Sequence, residues 1–593
     1  MHQFKIGVGC GVANGLSQEV LEAALDAGIR DFDTSTFYAP GALVHLEQTL
    51  QRKGIARGDV RLSVKLWMTD FGANRETDYD LGRVSLYPKF EEIRAKLNCR
   101  QIDSLVIHWP LKVDGQGIPE EFQIAEIWPR LEKLVDVGLV REIGVSNFNI
   151  VELHRLLEVA RIRPASNQVE FNPLAHSADM LAFCQANNIR LVGHSPFGFG
   201  WTNGHLKLFE NETIRAFADE LETTPACLVL AWAMTKGVMP IPGTTKAAHV
   251  ADFAAAVTLA PLPDAMVAAI DALNARDFHY LDMLRYFGSL FQKRYFSDSD
   301  IHVQTMGEDG RIERVSILDP QFLAKAKESL TLGGGVLVIP EILADQCQRL
   351  KRNLTGKLSS ADRWNGKYAD LSSIINAGPE VLEMLDDPIV SLIVESLLGW
   401  DCKLDNISLS TSRPAPHNKI FGPHQDSPFD NNIGAPLPPP TYPMVFQVIV
   451  AVDEFKDDNG PLYVIPGSHK KRQRVTLPWQ GGLRAGMIPE GALKIIAPQG
   501  SVIIAVGHIW HGAYANETDT PRHGLLMEYV SSFCDARDKF TASLVTEDLL
   551  RNCSPRVVRL LGRGKTHQHG VPTIANAYKA LRVDAVPGYA VRA

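Results

Sequence analysis

The sequence predicts a multidomain chain: a (β/α)8 TIM barrel followed by a double-stranded β-helix (jelly-roll, cupin-like) domain with flanking helices. Three observations predict this. At 593 residues the chain exceeds the length at which one hydrophobic core stops growing, so two or three domains are expected. From Phe4 to about Val257, short apolar runs alternate with helix-length amphipathic runs, the pattern of a parallel sheet with crossover helices. After Leu404 the texture changes to short β runs separated by Gly, Pro and Asn, as in antiparallel jelly rolls and barrels. Apolar and charged fractions of 45% and 22% are ordinary for globular chains and exclude collagen-like, coiled-coil and largely disordered classes.

In the first half the strand candidates are Lys5–Gly9, Arg30–Thr34, Leu62–Leu66, Ser104–Trp109, Glu142–Asn147, Asn167–Phe171, Leu191–Ser195 and Val238–Pro242. Between them lie helix candidates Gln18–Ala27, Leu43–Arg52, Phe90–Leu97, Ile127–Val137, Val151–Ala160, Ala178–Ala186 and Ala226–Lys236. Gly28, Gly54, Gly138 and Gly237 close helices, as expected of the residue that tolerates a left-handed C-cap. Eight such strands suit a closed barrel; a doubly wound open sheet has the same period. Gly7-Val8-Gly9-Cys10-Gly11 lacks the third glycine of a dinucleotide fingerprint.

Asp33, Lys65, His108, Asn147, Gln168 and His194 all fall at or near the C-terminal ends of these strands. In a barrel those ends converge on one face, where the chemistry sits. The segments Asp31-Phe32-Asp33-Thr34-Ser35-Thr36-Phe37-Tyr38, Val64-Lys65, Ile107-His108-Trp109, Gly144-Val145-Ser146-Asn147-Phe148, Asn167-Gln168-Val169-Glu170-Phe171-Asn172-Pro173 and Ile241-Pro242-Gly243-Thr244 resemble the aldo-keto reductase superfamily over residues 1–284. The resemblance implies a catalytic tetrad of Asp33, Tyr38, Lys65 and His108. A lysine ammonium beside a tyrosine stabilises the phenolate and lowers a pKa otherwise near 10. Asp33 would hold Lys65, and His108 would orient a substrate carbonyl. Ser146, Asn147 and Gln168 would hold the nicotinamide carboxamide. His194 stands where a stacking tyrosine is common, with Ser195 beside it, and Thr244, Thr245, Lys246 and His249 would serve the 2′-phosphate of NADP. The implied cofactor is NADPH, with NADH as the alternative. Aromatic residues Phe37, Trp67, Trp109, Phe197 and Trp201 are expected around the barrel mouth.

Residues 285–316 read as a linker, because Ser297-Asp298-Ser299-Asp300 and Gly307-Glu308-Asp309-Gly310 are polar and turn-forming. The second domain spans 317–553. It opens with a helix (Pro320–Thr331), a strand (Val336–Ile339) and a helix (Ile342–Leu354). Strand candidates Asn406–Ser410, Met444–Val452, Leu462–Ile465, Leu493–Ile496, Ser501–Ala505 and Gly524–Tyr529 follow. Gly434–Pro443, with five prolines, reads as a loop. Residues 554–593 form a basic C-terminal extension of uncertain role.

His424-Gln425-Asp426 and the distant His511 supply two imidazoles and one carboxylate, the facial triad of non-haem Fe(II) oxygenases. Arg522 downstream offers a bidentate fork for a carboxylate. With Asp453, Asn459-Gly460-Pro461-Leu462-Tyr463-Val464-Ile465-Pro466-Gly467-Ser468-His469 and the His511…Asn516…Arg522 spacing, these residues resemble the phytanoyl-CoA dioxygenase branch of the Fe(II)/2-oxoglutarate oxygenases. That resemblance implies Fe(II) on His424, Asp426 and His511, 2-oxoglutarate on Arg522, and O2 as oxidant. A carboxylate at 426, where related halogenases have Gly or Ala, favours oxygen transfer. His508 is the rival distal ligand, and His469 is expected to order a loop.

Two catalytic sets in one chain predict a bifunctional oxidoreductase acting on a small metabolite in a specialised biosynthetic pathway. The alternatives are a barrel that oxidises the new alcohol, or one domain acting as a binding or scaffold module. A net charge of −8 gives no pull toward nucleic acid. No apolar run of 18 residues suggests a membrane span, and the start lacks a basic region followed by an apolar one, so no signal peptide is expected. Eight scattered cysteines read as buried thiols in a reducing cytoplasm. Oligomeric state is left open.

Overall fold

The structure, a computed structural model, describes residues 5–11, 16–36, 41–66, 94–95, 101–110, 112–113, 119–120, 124–198, 208–274, 301–358, 371–372, 374–399, 402–414, 420–425, 444–471, 488–531, 544–546, 549–550 and 553–562. The chain divides into two compact units at Asp298/Ser299.

The first unit is a parallel sheet of eight strands: β1 (Gly7–Gly9), β2 (Asp31–Ser35), β3 (Arg61–Leu66), β4 (Ile102–Ile107), β5 (Val140–Ser146), β6 (Ser166–Glu170), β7 (Arg190–His194) and β8 (Met239–Pro240). Chain order and spatial order coincide, as right-handed β/α units winding one way require. The ring closes where Gly9 N–H donates to Pro242 O at 2.9 Å. A Cβ on Gly7 would lie 3.0 Å from Ile241 Cγ2 and from Met239 Cε. The glycines of Gly7-Val8-Gly9 therefore serve close packing between first and last strands.

Polar caps fix where the crossover helices begin. Ser17, Ser177, Asn211 and Thr224 each accept an N–H from the first turn of the helix they precede. Asn149 and Glu152 form a full capping box ahead of helix Ile150–Val159. The helix Pro225–Thr235 is apolar all round and buried from Cys227 to Met234, so it packs on both faces. Val8, Leu62, Val64, Leu66, Ile102 and Leu105 of the strands are fully buried, each contributing on the order of 1.5–3 kcal/mol. Helices Glu212–Glu220, Val250–Leu259 and Asp264–Asp271 are additions to the expected set. The expected helix Phe90–Leu97 lies almost wholly outside the described residues.

The second unit is antiparallel. Its larger sheet contains β9 (His302–Met306), β10 (Ile312–Ser316), β11 (Val336–Ile339), β12 (Leu371–Ser372), β13 (Lys403–Ser412), β15 (Val445–Val450), β18 (Val502–Val506) and β20 (Arg522–Val530), in the order β10-β9-β11-β18-β15-β20-β13-β12. The smaller sheet runs β14-β19-β16-β17, from Phe421–His424, His511–Ala513, Leu462–Val464 and Leu493–Ile495. Val336, Ile503 and Ala505 of the larger sheet share a buried core with Val464 and Ile495 of the smaller. This is the jelly-roll sandwich.

One expectation is corrected here. Residues 302–316, assigned to the linker, form a β-hairpin with Met306 opposite Ile312, and β9 pairs with β11. The turn signals at Gly307–Gly310 are those of a hairpin tip, where Gly310 has φ +79°. The C-terminal extension also begins inside this unit. Helix Pro555–Leu560, capped by Ser554, places Arg556 against Asp386 and Glu395, with Arg559 Nη2 2.8 Å from Glu395. All four side chains are buried or nearly so. The proline-rich loop Gly434–Pro443 lies outside the described residues.

Candidate active sites

In the first unit the strand ends deliver their polar residues to one place. Lys65 Nζ donates to Asp33 Oδ1 and, at 2.9 Å, to Gln168 Oε1. Gln168 Nε2 donates to Asp33 Oδ2 at 2.8 Å. The three side chains form a closed triangle, all buried. They line a cavity of about 670 Å3 with His108, His194, Ser195, Phe197, Thr244 and His249. Tyr38 lies outside the described residues.

His108 Nδ1 is 3.0 Å from Ser35 Oγ. Ser35 Oγ also donates to Lys65 O at 3.1 Å, and that carbonyl takes the Thr36 N–H at 2.9 Å on its second lone pair. Burial, then the Lys65 charge, holds His108 well below the ordinary histidine range, so the ring is neutral. His194 is held down to about 3 by burial and by Lys65. Its Nε2 donates to Asn147 Oδ1 at 3.1 Å and its Nδ1 faces Ser195 Oγ at 3.1 Å.

Asn147 Nδ2 donates to His108 O at 3.0 Å, and Ser146 Oγ donates to Gln168 O at 2.8 Å. Asn147 and Ser195 have φ of +62° and +49°. Left-handed backbone at non-glycine residues is costly and concentrates at functional sites. Thr244 Oγ1 sits 2.9 Å from His249 Nδ1 and accepts Lys246 N–H at 3.1 Å; Thr245 and Lys246 are exposed. Of the expected mouth aromatics, Phe197 lines the cavity. Trp109 is 1% exposed and its ring stacks beside that of His108, centroids 6.0 Å apart. Phe37, Trp67 and Trp201 lie outside the described residues. The sequence reading passed over Ser35, whose only signal was a hydroxyl two residues from Asp33.

In the second unit His424 stands directly opposite His511 across β14 and β19, with ring centroids 4.1 Å apart. His424 Nδ1 is 3.3 Å from Gly422 O and His511 Nδ1 is 3.0 Å from Ile509 O. Metal-binding histidines commonly donate one ring N–H to a carbonyl in this way, turning the other nitrogen to the metal. His508 contributes its carbonyl, which accepts Gln425 Nε2 at 3.1 Å. His469 Nε2 reaches Thr331 O at 3.0 Å. Asp426 lies outside the described residues.

Arg522 is buried, stacks its guanidinium 4.2 Å over the Phe455 ring and donates to Gly460 O. Its Nε has no partner among the described residues, and burial pulls its pKa down to about 10. Next to it, Asp453 accepts from the His523 backbone and ring and pairs with Lys351. Burial raises that carboxyl, but these hydrogen bonds outweigh it and hold it at about 2. An orphaned guanidinium N–H in a buried site fits a carboxylate ligand.

Residues 9–275 match the model of the aldo/keto reductase family, and residues 335–524 match that of phytanoyl-CoA dioxygenase (PhyH). The first unit belongs to the aldo/keto reductase family, and the second carries a phytanoyl-CoA dioxygenase domain match. In the reductase half the chain is 30% identical to aldose reductase B of Dictyostelium discoideum, over 41% of this chain and 81% of that protein. It is 31% identical to the 9,11-endoperoxide prostaglandin H2 reductase of Trypanosoma cruzi, over 41% of this chain and 78% of that protein. A solved structure of Bombyx mori aldo-keto reductase (AKR2E4) in complex with NADP is 26% identical over 46% of this chain and 89% of that chain, with a TM-score of 0.40. Aldo/keto reductases use NADP(H), and PhyH-type dioxygenases use Fe(II), 2-oxoglutarate and O2, so the fusion carries two oxidoreductase domains. No helix among the described residues is long and apolar enough to cross a membrane.

Proposed function

We propose that the second unit oxygenates a C–H bond of a small metabolite and that the first reduces a carbonyl with NADPH in the same biosynthetic sequence. If the hydroxylated carbon already bears nitrogen or oxygen, the product collapses to a carbonyl, which is the substrate type the barrel takes. The observation that carries this reading is the closed Asp33–Lys65–Gln168 triangle beside a neutral His108 in one cavity.

When bound, NADPH supplies the hydride. Tyr38 donates the proton to the carbonyl oxygen, and the Lys65 ammonium stabilises the phenolate left behind. Asp33 and Gln168 fix the ammonium. His108, a neutral ring at this cavity, would orient the carbonyl oxygen as negative charge grows there. His194, tied to Asn147 and Ser195, would offer a fixed neutral ring to the nicotinamide, and Ser146, Asn147 and Gln168 would hold its carboxamide. Thr244, Thr245, Lys246 and His249 form the turn for the 2′-phosphate.

When bound, Fe(II) with 2-oxoglutarate and O2 supplies the oxidising chemistry. His424, Asp426 and His511 would hold the metal, and Arg522 would fix the far carboxylate of 2-oxoglutarate. The test uses the full chain. Tyr38→Phe should abolish NADPH consumption and leave 2-oxoglutarate-dependent succinate release intact, and His424→Ala should do the reverse. An oxygenated product that the wild type never reduces would sink the linked sequence, and NADPH turnover unchanged in Tyr38→Phe would favour a scaffold role for the barrel.

A further inference from the structure

The inside of a closed eight-stranded barrel is normally filled by layers of bulky branched side chains. Below the Asp33–Lys65–Gln168 triangle this one is lined by small hydroxyls instead. Asp33, Ser63 and Ser104 are register partners across β2, β3 and β4, and neighbours in register point to the same side of a sheet. Ser166, at the start of β6, lies so near Gly144 of β5 that a Cβ there would be 2.6 Å from its Oγ. Ser63, Ser104 and Ser166 line a second cavity, of about 30 Å3, beneath the one of about 670 Å3 at the strand ends. Ser104 and Ser166 are buried.

Asp33 and Gln168 belong to the walls of both cavities, so the triangle they form with Lys65 is the partition between them. The lower cavity ends among Asp31, Arg61 and Arg190, at the N-terminal ends of β2, β3 and β7. These side chains reach solvent, at 20%, 33% and 39% exposure, and Glu142 bridges the two guanidiniums. From Asp31 to Asp33 is two residues, about 6.6 Å at strand rise. A water needs roughly 10–15 Å3 of such space, so the cavity has room for about two, and two waters with three hydrogen bonds of ~2.8 Å span that distance. A void lined by hydroxyls and a carboxylate is wet where an apolar one stays dry. Asp33 Oδ1 accepts from Lys65 and Oδ2 from Gln168, and each oxygen has a further lone pair for water.

We propose that this cavity is a water-filled proton entrance to Asp33 and Lys65 from the barrel floor, opposite the mouth that takes cofactor and carbonyl. The inference rests on the reductase reading of this unit, in which each turnover spends one proton at Tyr38. Lys65 returns it, an N–H bond breaking as the phenol O–H re-forms. Asp33 passes a proton to the lysine nitrogen, and the floor water passes one to the Asp33 carboxylate and regains one from solvent. The net change is one proton taken up and one phenolate neutralised. Supply from below recharges the site while cofactor and product still fill the upper cavity. Ser63, Ser104 and Ser166 are positioning residues, acting through the water they hold.

The test uses the full chain. A high-resolution crystal structure should show ordered water within hydrogen-bond reach of Ser104 Oγ, Ser166 Oγ and the Asp33 carboxylate; a dry cavity overturns the proposal. Reduction of 4-nitrobenzaldehyde by NADPH is then followed in H2O and D2O. Ser104→Ala combined with Ser166→Ala turns the void apolar. Steady-state kcat should fall by about tenfold, less than the full 10²–10⁴ of a positioned proton transfer because the upper cavity remains a slower entrance. The solvent isotope effect on kcat should grow. The first turnover, read by stopped flow on protein already holding its proton, should keep the wild-type rate, and a hydroxyl restored by Ser104→Thr should recover kcat. An unchanged kcat and isotope effect, or a first turnover that slows in step with kcat, overturns the entrance. Ordered water in a wild type that oxidises no NADPH with this aldehyde supports the passage and sinks the reductase reading.

Discussion

The polar groups of the barrel site are paired with one another, whereas the jelly-roll site keeps buried polar atoms without a partner among the described residues. Lys65, Asp33 and Gln168 close on themselves, and His108 and His194 are each tied to a serine hydroxyl. In the second unit Arg522 Nε and Gln447 Oε1 are left over. A closed network fixes charge before any substrate arrives, so its yield is rate. Leftover donors and acceptors are satisfied only on binding, so their yield is affinity.

The widest separation between the two should appear on deleting a central group from each. Lys65→Met should lower NADPH-dependent reduction by about 10²–10⁴-fold, the range of positioned acid–base catalysis, without touching succinate release. Parallel loss of both activities would break the comparison. Glu170 is an exception in the barrel, since its Oε2 has no partner among the described residues and burial pushes its carboxyl up to about 7. The folded state then holds a proton that the unfolded state releases. That contribution is complete below pH 4.5 and is lost as pH rises through 7. Glu170→Gln should therefore be more stable than wild type at pH 8, by up to roughly 3 kcal/mol, and nearly equal at pH 4.5, as read by denaturant melts. An affinity role for Arg522 predicts a rise of about 10–100-fold in the 2-oxoglutarate requirement in Arg522→Leu, with little change in iron content by metal analysis. The smallest effect is expected of Ser35→Ala. Losing one hydrogen bond worth about 1 kcal/mol should lower reductase kcat severalfold with KM unchanged, and Ser35→Thr should restore it.

Much of this was legible because hydrophobic period and strand-end polarity are local signals. All eight barrel strands lie within two residues of their expected starts, and helix Ala178–Ala186 agrees at both ends. The hairpin at 302–316 was hidden because Ile-Glu-Arg-Val-Ser is exposed on three successive positions and its turn residues also suit a linker. Helix Pro388–Leu398 was passed over because it is buried on nearly every side, which erases amphipathic period. The role of Ser35 depends on a partner 73 residues away, His108, and no local pattern announces such a pair.

The short helix at 555–560 carries the second unit past the edge of the PhyH match at residue 524. A protein trimmed at the edge of the PhyH match would strip Asp386 and Glu395 of their guanidinium counterparts and strand two carboxylates indoors, a penalty on the order of 3–5 kcal/mol. Anyone cutting this chain into separately expressed pieces should keep it whole through at least Gly562, or mistake a clipped strut for an intrinsically unstable enzyme.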